Sequence, residues 1–271
     1  MISEKFKHAG DSVFYEMTKL ANENQAINLA QGFPNFEGPE LLKDVFANEI
    51  KNGWNQYISS PGLAELREEL AKHYSERYQL NYHPETEITI THGATEALFN
   101  VLTGLLSPGD EVIIFEPFYD AYIGAIQLAG AKARAVRIDS LTFEIEWQSL
   151  EKQLNPAVKM ILINTPHNPI GKLFSSDELN RIAVLAKQHD LVIVSDEVYE
   201  HITFDGKSHQ SIAQIPGMQE RTIVISSIAK TYSFTGWKVG WVMSPSKLTR
   251  GIRLSHQLST FCTNQAGQKA A

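Results

Sequence analysis

The sequence predicts an α/β fold, a mainly parallel sheet with helices packed on both faces. Two observations carry this. From about residue 60 onward, seven short apolar, β-branched runs recur with helix-period stretches between several of them. The runs are nearly continuous in hydrophobicity rather than alternating, as expected of strands buried on both faces.

The elements follow in order. Residues 26–39, AINLAQGFPNFEGP, are rich in Gly, Pro and Asn and predict an ordered loop outside the repeating rhythm. Residues 61–78 carry Leu63, Leu66, Leu70 and Tyr74 at helical spacing, which marks one buried face. The strands are EITIT (87–91), EVIIF (111–115), ARAVRI (133–138), KMILIN (159–164), LVIVS (191–195), TIVIS (222–226) and VGWVM (239–243). Between the fourth and fifth, Ser175 and Glu178 form a capping-box pattern ahead of an amphipathic helix. The last stretch, HQLSTFCTNQAGQKAA, ends in a helix-like, Ala-rich segment and gives the impression of a chain cut short.

With 271 residues, 43% of them hydrophobic, the chain can bury a large core. A formal charge of −7 argues against nucleic acid or an anionic membrane surface as partner. The lone Cys262 excludes an intrachain disulfide and suits a reducing cytosol. The polar first residues and the lack of any apolar run near ~20 residues predict a soluble cytoplasmic protein.

In an open parallel sheet, ligands collect where strands end at their carboxyl side. After the first strand comes HGATEAL, where the amides of Ala94 and Thr95 open a helix and can meet an anion. After the fourth comes NTPHNPIGK, whose prolines stiffen a turn presenting Asn168. After the fifth comes DEVYE. Asp196 there is costly to bury without a cation, Tyr199 lies close by, and an N-cap for a following helix is the plain alternative. After the sixth, SIAKTYSFTGWKVGW puts Ser227 and Lys230 on the departing loop, with Lys238 beyond. Each segment alone reads equally well as structure. Four such coincidences on one sheet edge point to a site.

These segments resemble the class I/II, fold-type-I aminotransferases that use pyridoxal 5'-phosphate (PLP). The similarity runs from QAINLAQGFP to the last residue. Spacings of 28 residues from Asn168 to Asp196 and 34 from Asp196 to Lys230 support it. AINLAQGFPNFEGP, NQYISSPGLAELRE, EPFYDAY and GWKVGW are most similar to the methionine and kynurenine–glutamine aminotransferase branch. The resemblance implies a three-layer αβα PLP-transferase major domain over residues 41–271. Residues 1–40 would form an N-terminal arm and part of a small domain, the rest of which is expected to be missing. It implies that Lys230 carries the cofactor as a Schiff base and then moves protons. Asp196 would pair with the pyridine nitrogen, Tyr199 and Asn168 would bind the phenolic oxygen, and Tyr119 would cover the ring. The phosphate would meet Ala94, Thr95, Ser227 and Lys238, with Tyr57 arriving from the neighbour in a homodimer. Gly32, Asn168, Phe14 and Phe261 would line the substrate site.

Lys238 stands where much of the wider class has Arg, a mild departure because a point charge still neutralises phosphate. The family's arginine for the substrate carboxylate has no counterpart here. The expected reaction is transamination between a large neutral amino acid and a 2-oxo acid. A β-lyase acting on cysteine conjugates or cystathionine-like substrates, using the same residues, and a non-catalytic PLP-binding module are the competing expectations.

Overall fold

The computed structural model describes residues 12–32, 34 and 36–271, and the chain divides into two compact units, Met1–Glu37 and Gly38–Ala271. The N-terminal unit contains helix α1 (Val13–Glu23), which lacks buried residues and was not foreseen. Beyond it, the described residues of the Gly/Pro-rich stretch form no helix or strand until residue 40. This agrees with the loop that their composition predicts.

The second unit holds helices α2 (Glu40–Lys51), α3 (Ala64–Tyr78), α4 (Pro84–Glu87), α5 (Gly93–Leu105), α6 (Ala121–Leu128), α7 (Trp147–Gln153), α8 (Ser176–Gln188), α9 (Ile228–Thr231), α10 (Ser246–Ser259) and α11 (Gln265–Ala270). Its strands are β1 (Ile88–His92), β2 (Glu111–Glu116), β3 (Lys132–Arg137), β4 (Val158–Asn164), β5 (Val192–Asp196), β6 (Thr222–Ser227) and β7 (Val239–Met243). All seven predicted strands are present. The capping box at Ser175 is formed, each partner's side chain bonding the other's amide.

The strands make one sheet in the order β1-β7-β6-β5-β4-β2-β3. β2, β3, β4, β5 and β6 pair in parallel, and β7 runs antiparallel to both β6 and β1. The parallel pairs need long crossovers, supplied by helices. The link from β6 to β7 spans only residues 228–238, too short to recross the sheet in full, so β7 returns antiparallel.

Alternation along the strands separates the two buried faces. Val112, Ile114, Leu162, Val194 and Ile225 share a core with Leu98 and Leu102 of α5, Ile126 of α6 and Ile252 of α10. Ile113, Ile161, Ile163 and Ile193 pack instead with Leu179 and Ile182 of α8. Val224, Trp241 and Met243 pack with Leu66, Leu70 and Tyr74 of α3. The result is three layers. Because β1, β4, β5 and β6 all point the same way, their carboxyl ends and the start of β7 lie along one edge. Among the described residues, no helix is long and apolar enough to cross a membrane.

Candidate active site

The start of α5 is held by two glycines. Gly93 adopts φ +74°, and a Cβ there would lie 3.2 Å from Cε and 3.3 Å from Nζ of Lys238. The Lys238 ammonium is therefore beside the helix start, where unpaired amides already favour an anion. Gly240 presses β7 against the same turn, since a Cβ on it would fall 2.7 Å from the Gly93 carbonyl carbon and 2.8 Å from the Ala94 nitrogen. Ser227 pairs with Gly240 across β6 and β7, and its hydroxyl accepts from the Ala229 amide at 3.4 Å. The structure thus brings Ala94, Ser227 and Lys238 together at the start of α5, with Thr95 the next residue of that helix, a surround of amides, hydroxyl and ammonium that suits an anion. Gly240→Ala is expected to displace this turn, costing about 1–3 kcal/mol of stability. Thermal unfolding with and without inorganic phosphate should show a lower midpoint and a smaller phosphate-dependent rise than in the parent.

Asp196 ends β5 and is only 8% exposed. Its carboxylate accepts from the Tyr122 hydroxyl at 2.7 Å and, weakly, from the Val198 amide at 3.4 Å. Burial pushes its pKa from 3.8 up to about 6, against the two hydrogen bonds, and the neighbouring Glu197 adds to the rise. Among the described residues, no cation contributes to this balance. The chain after Asp196 continues as turns, so the alternative of an N-cap for a following helix falls.

Tyr199 lies in those turns, where Asn168 Nδ2 donates to its hydroxyl oxygen at 3.3 Å. Burial, and then the Asp196 charge, raise the Tyr199 pKa to about 12. Asn164, which the sequence reading passed over, organises this corner. Its Oδ1 accepts from the Asn168 amide at 2.6 Å and its Nδ2 donates to the Asp196 carbonyl at 2.9 Å. Tyr122 was also missed, and its only sequence signal is its place three residues after Tyr119 in YDAY. The two tyrosine rings meet edge to face at 5.6 Å, and Thr95 bonds the Tyr119 hydroxyl.

Lys230 stands in the single turn of α9 rather than on an open loop, with Ser227 as the last residue of β6. Its Nζ lies 5.7 Å from the Tyr199 ring centroid. Burial alone lowers its pKa, with no carboxylate acting on it. The amine and the Asp196 carboxylate are therefore separate, each lacking a counter-charge among the described residues.

Behind this edge, two further acids clamp the turn. Glu197 is fully buried and accepts from His209 at 2.8 Å and from Ser195 and Ser211 at 2.7 Å each. Glu200 accepts from Tyr78 and, at 2.7 Å, from Ser226. Both were visible in DEVYE but had no partner in the sequence to give them a role.

Tyr57 and Phe261 meet each other, ring centroids 5.6 Å apart, with exposures of 83% and 42%. Neither makes a hydrogen bond or ring contact with Asp196, Tyr199 or Lys230 among the described residues. Tyr57 lines a cleft of about 570 Å³ with Phe46, Trp54 and Cys262. Phe14 and Gly32 belong to the N-terminal unit, Phe14 half-buried on α1 and Gly32 exposed.

The donor set suits PLP. A buried carboxylate without a cation matches a protonated ring nitrogen. Asn168 and Tyr199 match a ring oxyanion, Lys230 supplies a partly desolvated amine, and the α5 start with Lys238 matches a phosphate.

Comparison with known proteins agrees. The family model "Aminotransferase class I and II" matches residues 24–271. Methionine aminotransferase of Escherichia coli is 38% identical over 266 residues, covering 98% of this chain and 69% of the relative. A kynurenine–oxoglutarate transaminase of Dictyostelium discoideum is 40% identical, covering 99% of this chain and 66% of the relative. Among solved structures, N-succinyldiaminopimelate aminotransferase from Mycobacterium tuberculosis superposes with a TM-score of 0.96 at 39% identity, covering all of this chain and 71% of that one. The chain spans about two thirds of the length of the curated relatives it matches.

Proposed function

This chain belongs to the class I and II aminotransferases, a PLP-dependent family, and from that premise we propose that it transaminates a large neutral amino acid with a 2-oxo acid. The donor would be of the methionine, aromatic, kynurenine or glutamine type, as the names of its relatives suggest. The observation that carries this reading is Asp196, a buried carboxylate at the strand edge that also bears Lys230, without a cation of its own among the described residues.

When bound, PLP supplies an electron sink for the charge left as an amino acid loses its α-proton. The chain's own residues make that sink effective. Asp196 holds a proton on the ring nitrogen by its charge, while Tyr122 fixes the carboxylate's direction. Asn168 and Tyr199, already bonded to each other, would hold the ring oxygen. Lys230, its proton affinity lowered by burial, would take the α-proton and deliver it two bonds away, on the far side of the amino nitrogen. Tyr119 covers the ring, and Ala94, Thr95, Ser227 and Lys238 hold the phosphate. Gly32, Phe14 and Phe261 are proposed to border the substrate.

The reading includes a homodimer of C₂ symmetry in a cytoplasmic setting, with residues 1–40 and 41–271 as the functional divisions. Tyr57 supports the dimer, since an 83% exposed tyrosine beside exposed Phe261 is free to reach a neighbouring phosphate.

The test is an absorbance spectrum with PLP, before and after methionine. A band of lysine-bonded cofactor that methionine converts to pyridoxamine phosphate is expected. No band with PLP would overturn the proposal, and a band indifferent to every large neutral amino acid would overturn the donor class.

A further inference from the structure

One buried polar cluster belongs to none of the roles above. His256, on α10, is fully buried, and each of its ring nitrogens faces an acceptor. Nδ1 lies 2.7 Å from Glu96 Oε1, and Nε2 lies 2.9 Å from the Ser60 carbonyl oxygen. Glu96 sits in the first turn of α5, directly after Ala94 and Thr95. Its Oε2 accepts from the His92 amide at 2.5 Å. Its Oε1 also accepts from Asn100 at 2.6 Å, Thr260 at 2.8 Å and Ser259 at 3.0 Å. Burial opposes ionisation here, yet the His256 contact and these donors hold the Glu96 pKa down at about 2.

A carboxylate is a natural complement to a helix N-terminus. At this helix, however, it would compete with the phosphate that the same end is proposed to bind. Drawing Glu96 back onto His256 and the His92 amide leaves the amides of Ala94 and Thr95 to an incoming anion. The other side of the imidazole fixes the Ser60 carbonyl, three residues from Tyr57. The end of α10 adds a second tie to that segment, because the His256 carbonyl accepts from the Phe261 amide at 3.0 Å and Phe261 meets the Tyr57 ring.

We propose that His256 and Glu96 are positioning residues for the phosphate cradle, locking the start of α5 and the segment carrying Tyr57 into one arrangement. The inference rests on the aminotransferase reading. In the dimer of that reading, one imidazole holds a piece of each cradle: α5 of its own site and the tyrosine sent to the neighbour's.

The experiment compares equilibrium binding of PLP, inorganic phosphate and phosphate-free pyridoxal. The proteins are the parent, His256→Ala, Glu96→Gln and Tyr57→Phe, each also combined with Tyr57→Phe where it lacks it. Affinity for PLP and inorganic phosphate should fall about 10- to 100-fold in His256→Ala, while pyridoxal affinity changes less than about threefold. Tyr57→Phe should cost much less in the His256→Ala background than alone. Glu96→Gln keeps the shape of the cluster and covers the case in which His256→Ala does not fold. It should show the same phosphate-specific loss. Equal losses for PLP and pyridoxal, or additive effects of Tyr57 with both variants, would overturn the positioning role. A parent that prefers PLP no more than pyridoxal would overturn the cofactor reading, and this inference with it.

Discussion

Lys230→Ala is expected to lower turnover by at least about 10⁴-fold, because the variant loses both the covalent anchor and the group that moves the α-proton. The amine is half-buried, carries no ion pair among the described residues that the change would orphan, and is lowered in proton affinity by burial alone. Its removal should therefore leave stability within about 1 kcal/mol of the parent. The two readouts are single-turnover absorbance with methionine and thermal unfolding without cofactor. In the cofactor-free parent, the rate of PLP capture should rise with pH as the Lys230 amine loses its proton, at a value below the usual 10.5. A variant that retained a tenth of the parental rate would remove Lys230 from the proton path.

Asp196→Asn is expected to move activity and stability in opposite directions. In the folded chain the Asp196 pKa is raised from 3.8 to about 6, so the folded state holds this proton more tightly than the unfolded state does. The stabilisation linked to the protonated form is complete below pH 3.8 and is lost as the pH climbs through about 6. The loss above that window is about 3 kcal/mol. Asparagine is nearly the same shape, keeps an oxygen for the Tyr122 hydroxyl and carries no charge. Without cofactor, the variant should unfold at a higher temperature than the parent at pH 7.5, and the advantage should vanish near pH 4. Its turnover should fall about 10²- to 10³-fold, since an amide cannot hold the ring proton by charge. Parallel pH–stability curves for the two proteins would show that Asp196 does not bear this cost.

The fold was readable because strands buried on both faces must be apolar throughout. KMILIN and LVIVS became β4 and β5 with no end displaced by more than one residue. Asn168, Asp196, Tyr199 and Lys230 could be singled out as candidates because they end or closely follow such strands, and a parallel sheet brings strand ends together. Tyr122 and Asn164 were not, because a buried tyrosine or asparagine declares its role only through a partner far along the chain. Asp196 lies 74 residues from the hydroxyl it accepts. His256 and Glu96 are 160 residues apart and carry no local pattern. Short elements also escaped. A four-residue helix such as α9 has no periodicity to detect, and its cap at Ser227 is a residue already assigned to the preceding strand.

The antiparallel strand β7 has a consequence for when this protein becomes able to hold its ligand. The cradle is built from residues 92–95 and from Lys238 and Gly240, two stretches nearly 150 positions apart that meet only when β7 slots between β1 and β6. A growing chain on the ribosome therefore carries the motif HGATEAL long before it has anything to close over it. Contacts of such long sequence separation form late and slowly. If the proposed site binds phosphate, its capture would mark completion of the sheet rather than its nucleation, and free cofactor would select finished molecules over partly folded ones.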